Sequence, residues 1–416
     1  MRILKLTAAT EKKLFKAREK RDEEAERVAA DIVADVRKNG DKALFEWTKK
    51  LDGIDLKRGG VWVSDKEILA ARKSADKEMV RAIEHAARNV KRVAKQQLPK
   101  PWSIETDGGV RISQRVEPIE RIGCYIPGGN FALVSTLIMT AVPAQVAGVK
   151  DILVVCPHPN AALLTAAGIL GVKKIARVGG AQSVAALAYG TKSLPRVEKI
   201  FGPGNQFVTA AKQIVSSECA IDLPAGPTEA VVYAEHGNAR WIAADLLAQA
   251  EHAIDAGSFF VTTSTKLARE VQREVGWLLG ESPSRFVNFS TRMSGAILVA
   301  PDPNSAFEFI NRFAPEHLSL PENARELLPK VRAAGTVFVG PLGAQPLGDY
   351  MSGSNHVLPT GGWARRRGGL SSADFVKCIS VQTINAKGFA KLAGDVMTLA
   401  KAEGLHAHAK AVEVRR

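Results

Sequence analysis

The chain has 416 residues, of which 46% are hydrophobic and 24% are charged. This composition is typical of a globular protein with about two to four domains, and it excludes disordered, collagen-like and disulfide-stapled classes. The net charge of +14 raises the hypothesis of a nucleic-acid partner.

The N-terminal region, residues 1–120, is predicted to be helical. Nine of the fourteen excess positive charges lie in residues 1–100, where acidic and basic side chains are mixed. Apolar residues recur at helical spacing between 28 and 36. Because aromatic side chains are few and not interleaved with basic ones, amphipathic helices are favoured over a nucleic-acid-binding arm.

Two features bear on location. Residues 1–20 are charged throughout and lack the apolar core of a signal peptide, and the four cysteines form no CxxC motif. Residues 122–149 carry no charge, but proline, glycine and asparagine interrupt them, which favours a loop and a buried helix over a membrane span. We therefore expect a cytoplasmic protein with free thiols and no membrane partner.

Strands, glycine turns and helices alternate from about residue 121 to residue 235, a pattern typical of a doubly wound parallel sheet. Strands are predicted over 151–156, 174–178 and 198–201. Glycine-rich turns are predicted at 127–129, 179–182 and 202–205, where the backbone can approach a phosphate. None matches the GxGxxG pattern, so tight structural turns remain the alternative.

The alternation continues through residues 236–365, which predicts a second α/β domain and raises the hypothesis of a duplication. In this later part of the chain, strands are predicted over 229–233, 258–261, 297–300 and 336–339. The N-terminal region is expected to pack on this domain. Residues 366–416, with a short strand over 379–382 and then helices, are predicted to form an extended tail that packs on a partner subunit.

Histidines next to acidic or amide side chains are the candidate chemical groups. Gln249 and His252 are three residues apart in a helical stretch and can present an oxygen and a nitrogen to one cation such as zinc. A capping or core histidine is the alternative for that pair. Glu316 and His317 offer a general base beside a carboxylate on an irregular turn.

Two further segments are polar. The glycine- and serine-rich stretch 348–356 is predicted to be a functional loop in which Asp349 supplies a hard oxygen ligand. His406 and His408 lie near the C-terminus, where an exposed pair on a helix is the alternative to a binding role.

Nine motifs, in this order, resemble the histidinol dehydrogenase family over nearly the whole chain. They are YIPGG at 125–129, GGAQSVAALAYGT at 179–191, GPGN at 202–205, DLPAGP at 222–227, DLLAQAEH at 245–252, APEHL at 314–318, GDY at 348–350, SNHVLPTGG at 354–362 and EGLHAH at 403–408.

This resemblance implies a fold and an activity. The fold is two Rossmann-like α/β domains in a domain-swapped homodimer, in which the C-terminal tail of one chain completes the site of the other. The activity is the oxidation of L-histidinol to L-histidine with two NAD in sequence, through a bound L-histidinaldehyde, at the end of histidine biosynthesis. One zinc ion per subunit is implied as a template for the substrate.

The resemblance also assigns site residues. The implied zinc ligands are Gln249, His252, Asp349 and His408 of the partner subunit. The implied general base is His317, with Glu316 as the group that activates water. The implied substrate-binding residues are Thr228, Gln249, His252, His317, Asp349, His356, Glu403 and His408. The implied NAD-binding residues are Tyr125, Gln182 and Asn205.

Two departures and two alternatives stay open. Thr228 stands where the family usually has serine, and the residues after Asp255 also differ. A paralogue that oxidises another small polar alcohol, such as a sulfonated diol, is the first alternative, although the presence of His356, Glu403 and His408 favours histidinol. A nucleic-acid-binding protein is the second, and we expect no such partner.

Overall fold

The computed structural model describes residues 1–18, 23–128, 133–224, 226–281, 287, 290–291, 294–320 and 326–416. Its helices are α1 Ala8–Arg18, α2 Glu23–Asn39, α3 Asp41–Asp52, α4 Leu56–Gly59, α5 Asp65–Ser74, α6 Lys77–Gln97, α7 Val134–Ala147, α8 Ala161–Leu170, α9 Gly180–Tyr189, α10 Gln206–Val215, α11 Ala239–Ala250, α12 Thr265–Glu281, α13 Pro303–Phe313, α14 Gln345–Tyr350, α15 Ala386–Ala402 and α16 His406–Glu413. Its strands are β1 Arg2–Lys5, β2 Trp102–Asp107, β3 Val110–Pro118, β4 Arg121–Tyr125, β5 Asp151–Val155, β6 Lys174–Ala176, β7 Lys199–Phe201, β8 Ala220–Ile221, β9 Glu229–Tyr233, β10 Gly257–Thr262, β11 Gly295–Val299, β12 His317–Leu320, β13 Thr336–Val339 and β14 Val376–Ile384.

Five parallel strands form the first sheet, in the spatial order β6-β5-β4-β7-β8. The strands predicted from residues 151, 174 and 198 are confirmed as β5, β6 and β7. The central strand β4 escaped prediction because it is short, begins with a charged residue and contains Gly123, which the side chain of Leu187 covers. The prediction of an α/β fold with parallel sheets is thus confirmed.

The second sheet has six parallel strands in the order β1-β11-β10-β9-β12-β13. Without β1, the order β11-β10-β9-β12-β13 repeats the order of the first sheet, with β9 in the place of β4. The N-terminal strand β1 is added at the edge, where Arg2 pairs with Ala296 of β11. Strand β12 was not predicted, because its four residues follow a proline and carry His317 and Ser319 in the interior of the sheet.

The N-terminal helices pack on the first sheet, not on the second α/β domain as expected. Helices α2 and α3 contact α9 and α10, while α5 and α6 contact α7 and α8. The apolar face of α2, with Ile32 and Val36, belongs to the same core as Val184 and Ala211. Periodicity shows that a face is buried but does not show its partner. Among the described N-terminal elements, β1 and α1 join the second sheet.

A third, antiparallel sheet joins distant parts of the chain. Strand β14 pairs along its whole length with β3, which also pairs with β2. Residues 102–118 are therefore extended rather than helical, and β14 is longer than the predicted strand 379–382. We call β14, α15 and α16 the C-terminal arm. Its large apolar side chains that are exposed in a single chain are Ile379, Ile384, Val396, Leu399, Leu405 and Val414.

The uncharged stretch 122–149 contains β4 and the buried helix α7, which confirms the predicted buried helix. The predicted turn at 127–129 ends at Gly129, which lies outside the described residues. In the described part of the chain, no helix has both the length and the apolar character that crossing a bilayer requires.

Asp245 generates a prediction about stability. It lies on α11 one turn before Gln249, and burial raises its pKa from 3.8 to about 6. Its ionisation therefore costs the folded state free energy, and stability falls as pH rises through this window. Asp245→Asn should be more stable than the parent protein, by a margin that grows by about 1–2 kcal/mol between pH 5 and pH 8.

Urea unfolding at both pH values measures this margin. Asp395→Asn, a change at an exposed carboxylate on α15, is the matched control and should show no such growth. A margin for Asp245→Asn that is equal at both pH values would contradict the role of ionisation.

Candidate active site

Two neighbouring parallel strands bring the first part of the site together. In the pairing of β12 with β9, His317 lies opposite Ala230. Thr228, Glu229 and Glu316 are therefore adjacent at the amino edge of the second sheet. The Thr228 hydroxyl and the Glu229 N–H both donate to Oε2 of Glu316, the latter at 3.1 Å. The same oxygen lies 3.8 Å from Nδ1 of His317.

Gln249 reaches this cluster from the end of α11. Its Nε2 donates to Oγ1 of Thr228 at 2.8 Å, which fixes the orientation of the amide. Its Oε1 is buried and has no hydrogen-bond partner among the described residues. An unpartnered buried oxygen is costly to the folded protein, and it is available as a ligand for a cation or a donor group.

Asp349, in the last turn of α14, links two imidazoles to the cluster. Its Oδ1 lies 3.6 Å from Nε2 of His317, and its Oδ2 lies 3.9 Å from Nε2 of His252. Both distances exceed a hydrogen bond. Together with Thr228, Glu316 and Gln249, these groups form one continuous chain of polar side chains.

Local structure differs from expectation at three of these positions. Helix α11 ends at Ala250, so His252 lies beyond the helix, with its side chain about half exposed, rather than on a helical face with Gln249. His317 begins a strand instead of lying on an irregular turn. Asp349 belongs to a helix instead of a glycine-rich loop. Short elements next to proline and glycine carry little periodic signal, which explains the differences.

The electrostatics of the cluster favour proton transfer at His317. Burial raises the pKa of Glu316, against the opposing charge of His317. Burial alone would lower the pKa of His317, but the carboxylates of Asp349 and Glu316 outweigh it and raise that pKa above its usual value. Burial would raise the pKa of Asp349, but the two nearby imidazoles lower it. His317 is therefore a strong proton acceptor.

His356 connects the cluster to the first sheet. Its Nδ1 lies 2.9 Å from the backbone oxygen of Asp349, and its Nε2 lies 3.5 Å from Oγ1 of Thr136 on α7. Next to it, Nδ2 of Asn355 donates to the backbone oxygen of Met139 on the same helix at 2.7 Å. Burial lowers the pKa of His356. Its imidazole therefore favours the neutral form.

Glu403 and His408 remain apart from this cluster within one chain. Both are exposed on the C-terminal arm. Across the described ranges, no hydrogen bond or ion pair joins either of them to the polar cluster.

The chemistry of the donors tests the fit with zinc. Gln249 Oε1, His252 Nε2 and the Asp349 carboxylate are oxygen and nitrogen donors of the kind that zinc binds. In a tetrahedral site with bonds of about 2.1 Å, donors lie about 3.4 Å apart, and the His252–Asp349 contact of 3.9 Å is close to this value. In the described ranges no three His, Cys, Asp or Glu residues are grouped to hold a metal. The three predicted ligands thus have the donor chemistry that zinc takes.

The residues expected to bind NAD lie at the carboxyl edge of the first sheet. Tyr125 ends β4, Gln182 is in the first turn of α9, and Asn205 caps α10, where Oδ1 accepts from the Val208 N–H at 3.1 Å. Strands β4 and β7 are neighbours at the point where the strand order reverses. Tyr125 and Asn205 therefore flank the position where open α/β sheets bind ligands.

Gly202 shows why glycine stands in the turn after β7. Its φ is +112°, and a Cβ there would lie 2.1 Å from the backbone oxygen of Tyr125. Only glycine permits this backbone conformation together with such a close approach. The turn is therefore held against the end of β4.

Asp52 is a residue of this edge that sequence analysis missed. Nε2 of Gln182 donates to its Oδ2 at 2.9 Å, and Oε1 of Gln182 is buried without a hydrogen-bond partner in the described part of the chain. Asp52 thus orients the amide of Gln182. It ends a helix that was expected on the other sheet, so no sequence signal connected the two residues.

The molecule has two parallel sheets that share a strand order. One sheet carries an acid–imidazole cluster and the other a glycine-lined edge, and this combination is that of an α/β enzyme with two specialised halves. The family model of histidinol dehydrogenase matches residues 15–416. The chain belongs to the histidinol dehydrogenase family.

Individual relatives agree with this assignment. Histidinol dehydrogenase of Lactococcus lactis subsp. lactis (strain IL1403) is 42% identical over 402 residues, covering 94% of this chain and 93% of the relative. That of Methanocaldococcus jannaschii is 40% identical, covering 100% and 98%. The crystal structure of histidinol dehydrogenase from Elizabethkingia anophelis is 37% identical, with a TM-score of 0.95 and coverage of 100% and 98%.

Proposed function

We propose that this protein oxidises L-histidinol to L-histidine with two NAD, through L-histidinaldehyde, in histidine biosynthesis. The observation that carries the proposal is the continuous polar chain from Gln249 through Thr228 and Glu316 to His317 and Asp349, in a member of the histidinol dehydrogenase family. This chain supplies a base, a second carboxylate and ligand atoms in one place.

His317 is the general base in this proposal. A hydride leaves the alcohol carbon of histidinol for NAD as the hydroxyl proton is removed, and an imidazole near neutrality is suited to accept that proton. His317 is buried between the carboxylates of Glu316 and Asp349, which stabilise its protonated form. The first oxidation thus yields an aldehyde, NADH and a proton on His317.

Glu316 prepares the second oxidation. The aldehyde must add water before a second hydride can leave, and a carboxylate with a raised pKa is suited to remove the water proton. Both hydrogen bonds that Thr228 and Glu229 donate engage Oε2, which leaves Oε1 of Glu316 for that water. As water adds, the aldehyde oxygen takes the proton that His317 holds from the first oxidation. The hydrated aldehyde then loses a hydroxyl proton to His317 and a hydride to a second NAD, and it becomes the carboxylic acid.

Gln249, His252 and Asp349 are the residues that would hold zinc, with His408 of the partner subunit as the fourth ligand. When bound, zinc supplies a template that orients the amino and imidazole groups of histidinol. Thr228 has a further part, because its hydroxyl accepts from Gln249 and donates to Glu316. It holds a ligand and the second carboxylate in register, and threonine does this as well as serine.

NAD is assigned to the domain of the first sheet, predicted as residues 121–235, with contacts to Tyr125, Gln182 and Asn205. Strand β9, at the end of that range, belongs to the second sheet. If the strands of the first sheet are numbered 1 to 5 from β4 to β8, their spatial order is 3-2-1-4-5. Rossmann-like dinucleotide-binding sheets have this order in their first five strands. The unpartnered oxygen of Gln182 supports a ligand at this edge. Residues 236–365 then carry the zinc ligands and the base.

A domain-swapped homodimer with shared sites is also part of the proposal. The C-terminal arm leaves Leu399 and Val414 each 65% exposed, and apolar groups of this kind mark surfaces that bind another chain. A second copy of the arm would carry Glu403 and His408 to the site, where His408 is the proposed fourth ligand. A cytoplasmic location is supported by four cysteines that are all free.

The direct test of function is an NADH assay with purified protein. L-Histidinol should give two NADH for each histidine formed, and removal of metal by a chelator should abolish the rate until zinc is restored. A sulfonated diol is the comparison substrate. Turnover of the diol with no NADH from histidinol would assign the chain to the paralogous activity instead.

The role of His317 predicts the effect of His317→Asn. Because asparagine cannot accept the proton, kcat should fall by at least about 100-fold while zinc stays bound, as measured by metal analysis. His85→Asn, at an exposed histidine on α6, is the control and should keep the parent rate. A fully active, zinc-loaded His317→Asn protein would remove His317 from the mechanism.

The shared site predicts complementation between two inactive variants. His408→Ala and Asp349→Ala homodimers should both lack activity, but a heterodimer has one site with both changes and one site with neither. After random reassembly, the mixture should recover about one quarter of the parent activity. Parent protein taken through the same dissociation is the control, and an inactive mixture would exclude sites shared between subunits.

A further inference from the structure

Arg18, the last residue of α1, is largely buried against Glu229 and the turn that leads to Glu316. Its side chain is 11% exposed, and its guanidinium forms an ion pair with Glu229. It also donates to the backbone oxygens of Phe313 and Ala314, the latter at 3.4 Å. Its Cζ lies 4.1 Å from the centre of the Phe313 ring. The Arg18 guanidinium thus contacts both the end of α13 and the start of β9.

The backbone that Arg18 contacts is unusual. Ala314, with a φ of +50°, is the only non-glycine residue with a positive φ in the described part of the chain. This conformation is disfavoured for residues with a Cβ. The oxygens of Phe313 and Ala314 lie at a helix end, where carbonyls lack partners within the helix, and Arg18 supplies a donor to both. The turn leads through Pro315 directly to Glu316.

Glu229 connects Arg18 to the catalytic pair by a second route. Its side chain accepts from Arg18, and its backbone N–H donates to Glu316. Two buried carboxylates therefore lie close together, and burial raises the pKa of Glu229 to about 7. The guanidinium of Arg18 supplies the positive charge that this arrangement needs.

We propose that Arg18 is a positioning residue for the oxidation: by holding the turn at Ala314 and the side chain of Glu229, it keeps Glu316 and His317 aligned for proton transfer. Arg18 itself contacts neither the substrate nor NAD in this assignment. The inference rests on the proposed function, which gives Glu316 and His317 their roles.

An ion pair between α1 and α13 provides a matched control. Nε and Nη2 of Arg312 on α13 donate to the carboxylate of Glu11 on α1 at 2.6 and 2.9 Å, and the Arg312 side chain is 53% exposed. This pair also attaches α1 to α13 but does not contact the turn at Ala314 through its guanidinium. A residue that only docks α1 would behave like this pair.

The experiment compares kinetics of variants at the two ion pairs. Arg18→Met should lower kcat by about 10- to 100-fold, since a misplaced catalytic group costs rates of this order. Its KM for NAD should change less than about twofold, because the residues assigned to NAD lie on the first sheet. Arg18→Lys, which keeps the charge but loses the forked contact, should be intermediate. Glu11→Gln and Arg312→Gln should keep kcat within about twofold of the parent.

A double variant separates alignment from stability. Arg18→Met combined with Glu229→Met removes both buried charges together, a change that proteins often tolerate without loss of stability. A parent-like melting curve with low kcat supports the proposal. A parent kcat in folded Arg18→Met or in the folded double variant overturns the proposal. Failure of these two variants to fold, while the Glu11 and Arg312 variants do fold, also overturns it. A parent protein that forms no NADH from histidinol overturns the proposed function itself.

Discussion

The parallel pairing of β9 with β12 is the constraint on which the candidate site depends. It places the residues around the start of β9 beside those around the start of β12. One carboxylate oxygen of Glu316 therefore accepts from both the Thr228 hydroxyl and the Glu229 backbone. Gln249 is then oriented through Thr228, and Asp349 is drawn to His317. A slip of one residue in this register would turn His317 to the other face of the sheet.

The two halves of the molecule use opposite edges of similar sheets. Tyr125 and Asn205 lie at the carboxyl edge of the first sheet, where open α/β sheets commonly bind ligands. Thr228 and Glu316 lie at the amino edge of the second sheet. A shared strand order therefore does not imply a shared location for the chemistry, and the second edge acquires polar side chains from α11 and α14.

Sequence analysis predicted the sheets better than the contacts between elements. Apolar runs marked β5 and β9 because buried parallel strands are continuous hydrophobic segments. Strand β12 begins with a histidine and was not recognised. The association of Gln249 with Asp349 came from family resemblance, since no local pattern connects residues 100 positions apart. Arg18 and Asp52 escaped notice because a charged residue at a helix end is ordinarily solvated.

The edge strand β1 also constrains how the protein forms during synthesis. Its partner β11 begins about 290 residues later in the chain. At the speed of a ribosome, that separation corresponds to roughly 15–60 s. During this interval β1 lacks its partner β11, whereas the five strands of the first sheet leave the ribosome within a much shorter span. All five strands of the first sheet are therefore available for pairing before β1 can dock on β11.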